Sequence, residues 1–356
     1  MVSRRDNSAA VVFGAASPIG AALLNQKMFE KYGKVVLSDS APRQYIIRAM
    51  TKRLGFSLAN VTIVPLQPRK PFAGFEPLFD MLQSFDSIDI YNLSHCRDRA
   101  RSASEVREIN ALRFERIVSI AHRLPTLNAL IMVTDIGLVG DYPGRFSENW
   151  IEVGQTPFDE VDRSSLSIEL ACRKEESLPI VRARVGLVLD PTGMPSTLGY
   201  WSSASDIFVG FSSVLKRLPR FLTIPVASAK GALVPVTPAD FAAETLICAT
   251  ERPVPKESAL HVVMEPMPTV DAVLAWTSRR IGGARLRSGL PIDKVAKLGL
   301  IPGFREMARR NADQIASWWT PHRYCLSRND VDTTQLRNLL TADYQFPKWY
   351  ALENAF

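Results

Sequence analysis

The sequence predicts an α/β fold: a Rossmann-like, doubly wound parallel sheet with a smaller, mostly helical carboxy-terminal domain. Three observations point there. Short apolar runs alternate with helix-period segments through the first half of the chain, as in strands joined by crossover helices. The first run ends in a glycine-containing turn that opens directly into a helix. After Asp190 the alternation stops at a stretch rich in Pro, Gly and Thr.

Taken in order, residues 9–13 read as a buried strand, followed by a turn and a helix over 18–32. Residues 34–38 are the second strand, 45–54 a helix, 60–65 the third strand and 75–85 a helix. The fourth strand covers 87–93, a long helix 103–123, the fifth strand 127–134, a helix 166–176 and the sixth strand 178–189. Residues 207–222 read as helical, and 233–236 as a short strand leading into a helix over 238–250. Residues 260–264 form another strand, and helices dominate from 269 onward. The expected division is a sheet domain over 1–190, to which 233–264 contributes, and a discontinuous smaller domain from 191–232 and 265–356.

The chain has 356 residues, 46% hydrophobic and 22% charged, enough for one large core and a smaller one. A net charge of +7 reads as a solvated basic surface or as a docking face for an acidic partner. No Lys/Arg block interleaved with aromatics occurs, which sets nucleic acid aside. Cys96, Cys172, Cys248 and Cys325 show no C-x-x-C spacing, so reduced thiols are expected, with no disulfide framework and no metal site. Residues 1–10 lack the apolar core of a signal peptide, and no apolar run reaches the ~18 residues of a membrane span. A cytoplasmic location is expected.

Residues 11–20, V-V-F-G-A-A-S-P-I-G, join the first strand to the first helix. Gly14 permits the tight turn and Gly20 lets the helix pack closely on the strand. The helix start, with Ser17, Pro18 and Ile19, would offer N–H groups and a positive dipole end to a pyrophosphate. Ser17 stands where the dinucleotide fingerprint has its middle glycine. Its Cβ would crowd the phosphates, or its hydroxyl would donate to them. Asp39, 19 residues after Gly20, occupies the place of a carboxylate that bonds the adenosine ribose and repels a 2′-phosphate. That favours NAD(H) over NADP(H); a capping Asp is the plain alternative.

The chain resembles the extended short-chain dehydrogenases/reductases, and within them the branch of fatty acyl-CoA and carrier-protein thioester reductases. The residues that carry the resemblance extend beyond the turn. Residues 91–95 (Y-N-L-S-H) match a strand ending near the cofactor, and Asn110 matches an asparagine that braces the sheet there. Residues 133–140 resemble the strand and loop that carry a catalytic Ser or Thr. Residues 143–147, 154–155, 233–243 and 327–340 match further segments of the branch. The resemblance implies a dinucleotide cofactor, an acyl-thioester substrate and an acidic partner such as an acyl carrier protein.

It also implies a Ser or Thr that bonds the substrate carbonyl, a Tyr that transfers the proton, and a Lys four residues later that lowers the Tyr pKa. One helical turn stacks the ammonium beside the phenolate. With Ser164 and Glu169 as anchors, the tyrosine position is Val161 and the lysine position is Ser165. No Tyr lies between Gly144 and Gly199, and the nearby Lys174 is more than two turns too far. The Ser/Thr position falls on Asp135, with Thr134 before it. Candidate replacements are Asp135 as a general base or a loop cap, His95 as an acid/base or a hydrogen-bonded loop residue, and Tyr142 as a proton donor or a packing residue. His122, His261 and His322 have no metal or triad spacing, and no G-x-S-x-G elbow surrounds Ser164, Ser165 or Ser167. Trp318 and Trp319, near Arg309, Arg310 and Arg323, read as a docking patch or as core anchors.

Three readings follow. The chain is a non-catalytic or regulatory partner that binds nucleotide or substrate; or an enzyme of altered mechanism on an acyl thioester using Asp135 or His95; or a slow reductase that relies on positioning. Oligomeric state has no signature in the sequence.

Overall fold

The computed structural model describes residues 5–24, 26–39, 60–65, 75–96, 101–189, 223–227, 232–281, 285–290, 330–341 and 344–348. In chain order the elements begin with β1 (Arg5–Phe13), α1 (Pro18–Leu23), α2 (Gln26–Lys31), β2 (Tyr32–Asp39), β3 (Val61–Pro65), α3 (Glu76–Gln83) and β4 (Ser87–Asn92). They continue with α4 (Ala103–His122), β5 (Leu127–Asp135), α5 (Glu160–Lys174), β6 (Ile180–Val185), β7 (Leu187–Leu189), β8 (Thr223–Ala227) and β9 (Val236–Pro238). The last are α6 (Ala239–Cys248), β10 (Ala259–Val262), α7 (Val270–Ile281), β11 (Arg285–Leu290) and α8 (Thr334–Leu339).

Seven strands form one parallel sheet in the order β10-β6-β5-β4-β1-β2-β3. β1 is an interior strand between β4 and β2, and its residues Ala9 to Phe13 are fully buried. A continuous apolar run suits a strand covered on both faces. Alternate side chains serve the two faces. Val12 joins Leu37 and Val133 beneath Ile19 and Leu23 of α1, Phe241 and Leu246 of α6, and Leu336 of α8. Val11 joins Ile90 and Met132 against Phe79 of α3, Ile117 and Ile120 of α4, and Ile168 of α5. A third cluster gathers Leu138, Phe146, Leu187, Val236, Val273 and Trp276, beyond the carboxyl end of β5.

Several expected boundaries shift for local reasons. The helix expected over 18–32 is two short helices, α1 and α2, with β2 starting at Tyr32. The helix expected from 166 starts at Glu160, because Asp159 caps it by accepting from Asp162 N at 3.0 Å. The sixth strand divides at Gly186 into β6 in the main sheet and β7, which pairs with β9. A Cβ at Gly186 would lie 1.9 Å from Pro235 O, so the chain turns where a second backbone passes against it. The strand expected at 233–236 is β9 at Val236–Pro238, with Leu233 in an isolated bridge to Thr269. β11, within the region from 269 onward expected to be mainly helical, is an extended segment that pairs in parallel with β8. The helices expected over 45–54 and 207–222, together with Trp318, Trp319, Arg309, Arg310, Arg323, His322 and Cys325, lie outside the described residues.

Candidate functional site

The turn between β1 and α1 is built by its glycines. Gly14 has φ 76°, and a Cβ there would lie 2.5 Å from Leu93 O; at Gly20 it would lie 2.4 Å from Ala15 O. Both positions need glycine. Ser17, with φ −78° and ψ 161°, carries its Cβ without strain and is the N-cap of α1, its Oγ accepting from Gly20 N at 3.0 Å. The other amides of the turn are also spent within the chain. Gly14 N and Ala15 N donate to Ser38 O, Ser17 N to Gly14 O, and Ala16 N to Asp39 Oδ2 at 3.0 Å. Pro18 has no N–H, and among the described bonds Ile19 N alone finds no acceptor. Ser17, Pro18, Ile19 and Gly20 are all buried. A helix start holds a pyrophosphate through free amides. This one is capped by its own serine, which takes the Gly20 amide and leaves the Ser17 O–H and the Ile19 N–H as its remaining donors. Asp39 braces the turn. Asn110, on α4, accepts from Cys96 N at 2.6 Å and donates to Cys96 O at 3.2 Å, tying the loop after β4 to the helix.

The carboxyl ends of β4 and β5 bring two of the three candidate catalytic residues together. His95 follows β4, Asp135 ends β5, and Ser165 on α5 stands between them; all three are buried. Ser165 Oγ lies 3.0 Å from His95 Nε2, accepts from Asp135 N at 3.2 Å and donates to Val161 O at 3.0 Å. One proton assignment makes all three bonds at once: His95 Nε2–H and Asp135 N–H donate into Ser165 Oγ, whose own proton goes to Val161 O. The Asp135 carboxylate accepts from Gly137 N at 2.8 Å and caps the short 3-10 turn Ile136–Val139. Val161 is buried beside Ser165 in the first turn of α5. Tyr142 is not part of this group: its ring meets Phe146 at 5.6 Å and Trp150 at 5.5 Å.

Thr134 turns the other way. Its Oγ1 donates to Glu169 Oε1 at 2.7 Å, and Glu169 receives Arg184 through Nε at 2.9 Å and through the terminal guanidinium nitrogen at 2.6 Å. Arg184, Glu169 and His261 are fully buried. His261 Nδ1 donates to Asp332 O at 2.6 Å, which leaves Nε2 to accept from Arg184 at 2.9 Å. Burial, reinforced by the Arg184 charge, holds the His261 pKa well below the usual imidazole range, so the ring is neutral. Glu148, on the loop after β5, accepts from His261 N, Gln335 N and Leu336 N and so pins the start of α8. Burial pushes its pKa up to about 7 against the pull of those three donors. The sequence reading missed Arg184 and Glu148. A signal for the first exists: V-R-A-R-V over 181–185 alternates charge with apolar residues inside a buried strand, which puts both guanidinium groups on one face.

Among the described residues no group of His, Cys, Asp and Glu could hold a metal, and no helix is long and apolar enough to cross a membrane. No protein-family model matches the sequence, and a search of curated proteins finds no match. Solved structures do match. The terminal reductase domain of the myxalamid polyketide–nonribosomal peptide pathway superposes with a TM-score of 0.67 at 18% identity, over 96% of this chain and 87% of that one. A thiolation–reductase di-domain of an archaeal non-ribosomal peptide synthetase gives 0.66 at 12% identity, over 94% and 70%. UDP-glucuronic acid 4-epimerase of Bacillus cereus, in complex with UDP-glucuronic acid and NAD, gives 0.59 at 16% identity, over 80% and 87%. The chain has the fold of the extended short-chain dehydrogenases/reductases. Within that fold the candidate site lies at the carboxyl edge of the sheet, where open α/β folds keep their ligand crevice.

Proposed function

We propose that this chain is a short-chain dehydrogenase/reductase-like protein without hydride-transfer chemistry, a substrate- or nucleotide-binding partner in an acyl-thioester or related biosynthetic pathway. One observation carries the reading: the hydroxyl of Ser165, at the position assigned to the lysine, is consumed by His95, Asp135 N and Val161 O. Neither it nor Val161 can protonate a carbonyl or hold a positive charge against a ribose. The self-capped turn at Ser17 supports the same reading, because a dinucleotide would have to displace the cap. The pathway assignment draws on the likeness to reductase domains of peptide and polyketide assembly lines, one of them solved with its thiolation domain. Asp39 would favour NAD over NADP for any dinucleotide that enters, and the net charge of +7 suits an acidic carrier-protein partner.

A second reading rests on the meeting of His95 and Asp135 at Ser165, which would serve an enzyme of altered mechanism. One experiment separates the two: single-turnover NADH oxidation with acyl thioesters and aldehydes, for wild type, Val161→Tyr/Ser165→Lys and Asp135→Asn. The expected wild-type result is at most a trace rate. Turnover of about 1 s⁻¹ or more, in the ordinary enzyme range, would overturn the proposal; its loss in Asp135→Asn would establish the second reading.

A further inference from the structure

We propose that a pocket at the amino edge of the main sheet binds small amphiphilic anions, molecules with an apolar body and an anionic head. The pocket lies at the starts of β5 and β6, at the opposite end of those strands from His95, Ser165 and Asp135. Its volume of about 320 Å³ falls inside the ~300–1,000 Å³ range of small-molecule sites. Leu178, Ile180 and Val181 of the β6 region form one wall, and Val254, from the loop between α6 and β10, forms the other. Arg252 and Lys256 line it from that same loop, with Glu251, Asn128 and Thr250 among the other lining residues.

What selects the ligand is the state of these two cations. Arg252 donates one guanidinium nitrogen to Leu339 O, a neutral acceptor, and Lys256 has no side-chain partner among the described residues. The neighbouring carboxylate, Glu251, lies 3.3 Å from the buried ammonium of Lys31 and is engaged there. Two other cavities differ on this point. In a cavity of about 680 Å³ between the loop after β10 and α8, Arg145 pairs with Asp332 and Arg337 with Glu265. In the groove between α4 and α5, Arg107 and Arg163 both pair with Glu160. Two cations with no carboxylate paired to them, beside an apolar wall, suit a ligand that is anionic at one end and apolar at the other; the one lining carboxylate, Glu251, is held by Lys31.

The lip is also held in place. Arg182, buried on β6, donates to the carbonyls of Lys256 and Ser258 at 2.9 and 3.0 Å, and Arg252 N donates to Cys248 O at 3.1 Å. The two prolines in R-P-V-P-K restrict the loop further. The site therefore needs little ordering when it fills.

The test is calorimetric titration of the full chain with octanoate, octyl phosphate and the neutral isostere octanamide. Either anion should bind, with octanamide at least about tenfold weaker, and the tighter of the two anions identifies the head group. Lys256→Gln, which removes no described contact, should weaken the anion about tenfold, Arg252→Gln/Lys256→Gln further, and Val254→Trp should block it by filling the pocket. Unfolding profiles of the variants establish that each remains folded. Absence of binding by both anions up to about 5 mM would overturn the proposal. So would octanamide binding as well as octanoate, or unchanged anion affinity in the folded double variant.

Discussion

Replacing Ser165 by Ala tests whether its hydroxyl belongs to the scaffold or is held for chemistry. The side chain is fully buried and makes three contacts, to His95 Nε2 at 3.0 Å, Asp135 N at 3.2 Å and Val161 O at 3.0 Å. The Val161 carbonyl keeps its helical partner in the variant. The Asp135 amide and His95 Nε2 each lose a bond, in a region too deeply buried for bulk water to replace the missing atom. A buried hydrogen bond contributes about 0.5–1.5 kcal/mol net, so the pair sums to about 1–3 kcal/mol. Urea unfolding followed by circular dichroism should show that loss as a lower midpoint with an unchanged slope. A cycle with His95→Ala should return a coupling of about 1 kcal/mol or more between the two sites. A loss below about 0.5 kcal/mol would refute the reasoning, because surface substitutions without a structural role fall in that range. The hydroxyl would then be available for a ligand, and the proposal of a non-catalytic site would lose its main support.

Other predictions concern the turn and the buried charges. Ser17→Gly, which removes the cap from α1 at a stability cost of a few tenths of a kcal/mol, should tighten NADH binding about tenfold in a fluorescence titration. Glu169→Gln should cost about 3–5 kcal/mol in unfolding free energy, because it strips the carboxylate from a fully buried Arg184. Glu148 should make stability depend on pH. Its folded pKa of about 7 lies above its ordinary 4.5, so the folded state takes up the proton first. Stability from this group rises as pH falls from about 7 towards 4.5 and is lost as pH rises through 7, by about 2–3 kcal/mol in all. Paired unfolding curves at either end of that window should show this difference in wild type and not in Glu148→Gln.

Much of the fold was legible because it rests on local signals. The apolar runs at 9–13 and 127–134 announce buried strands, and the glycine turn at 14–20 announces the strand-to-helix junction. The early start of α5 hinges on a single residue, Asp159, within a segment whose apolar pattern says otherwise. The bend at Gly186 depends on Pro235 O, a contact no window of sequence contains. The site divides in the same way. His95, Asp135 and Ser165 could be named from their places after a strand or on a helix, but the bond between His95 and Ser165 spans 70 positions. Glu148 and the start of α8 are 187 positions apart, so nothing local marks that carboxylate as the pin of the carboxy-terminal helix.

The bonding at the carboxyl edge also shows how polar side chains beside a ligand crevice can serve the scaffold. Active sites hold groups that break local rules, with donors or charges kept for a ligand and stabilised from elsewhere in the fold. Five of the polar side chains singled out from the sequence obey those rules. Ser17 caps its helix, Asp39 bonds the turn, Asn110 brackets Cys96, Thr134 holds Glu169, and Asp135 caps the turn after β5. The sheet does not depend on a ligand, since its core is the apolar alternation of β1, β4 and β5 between two helical layers. Substitutions at these positions should therefore be felt first as lost stability, whereas in a working reductase they would be felt first as lost rate.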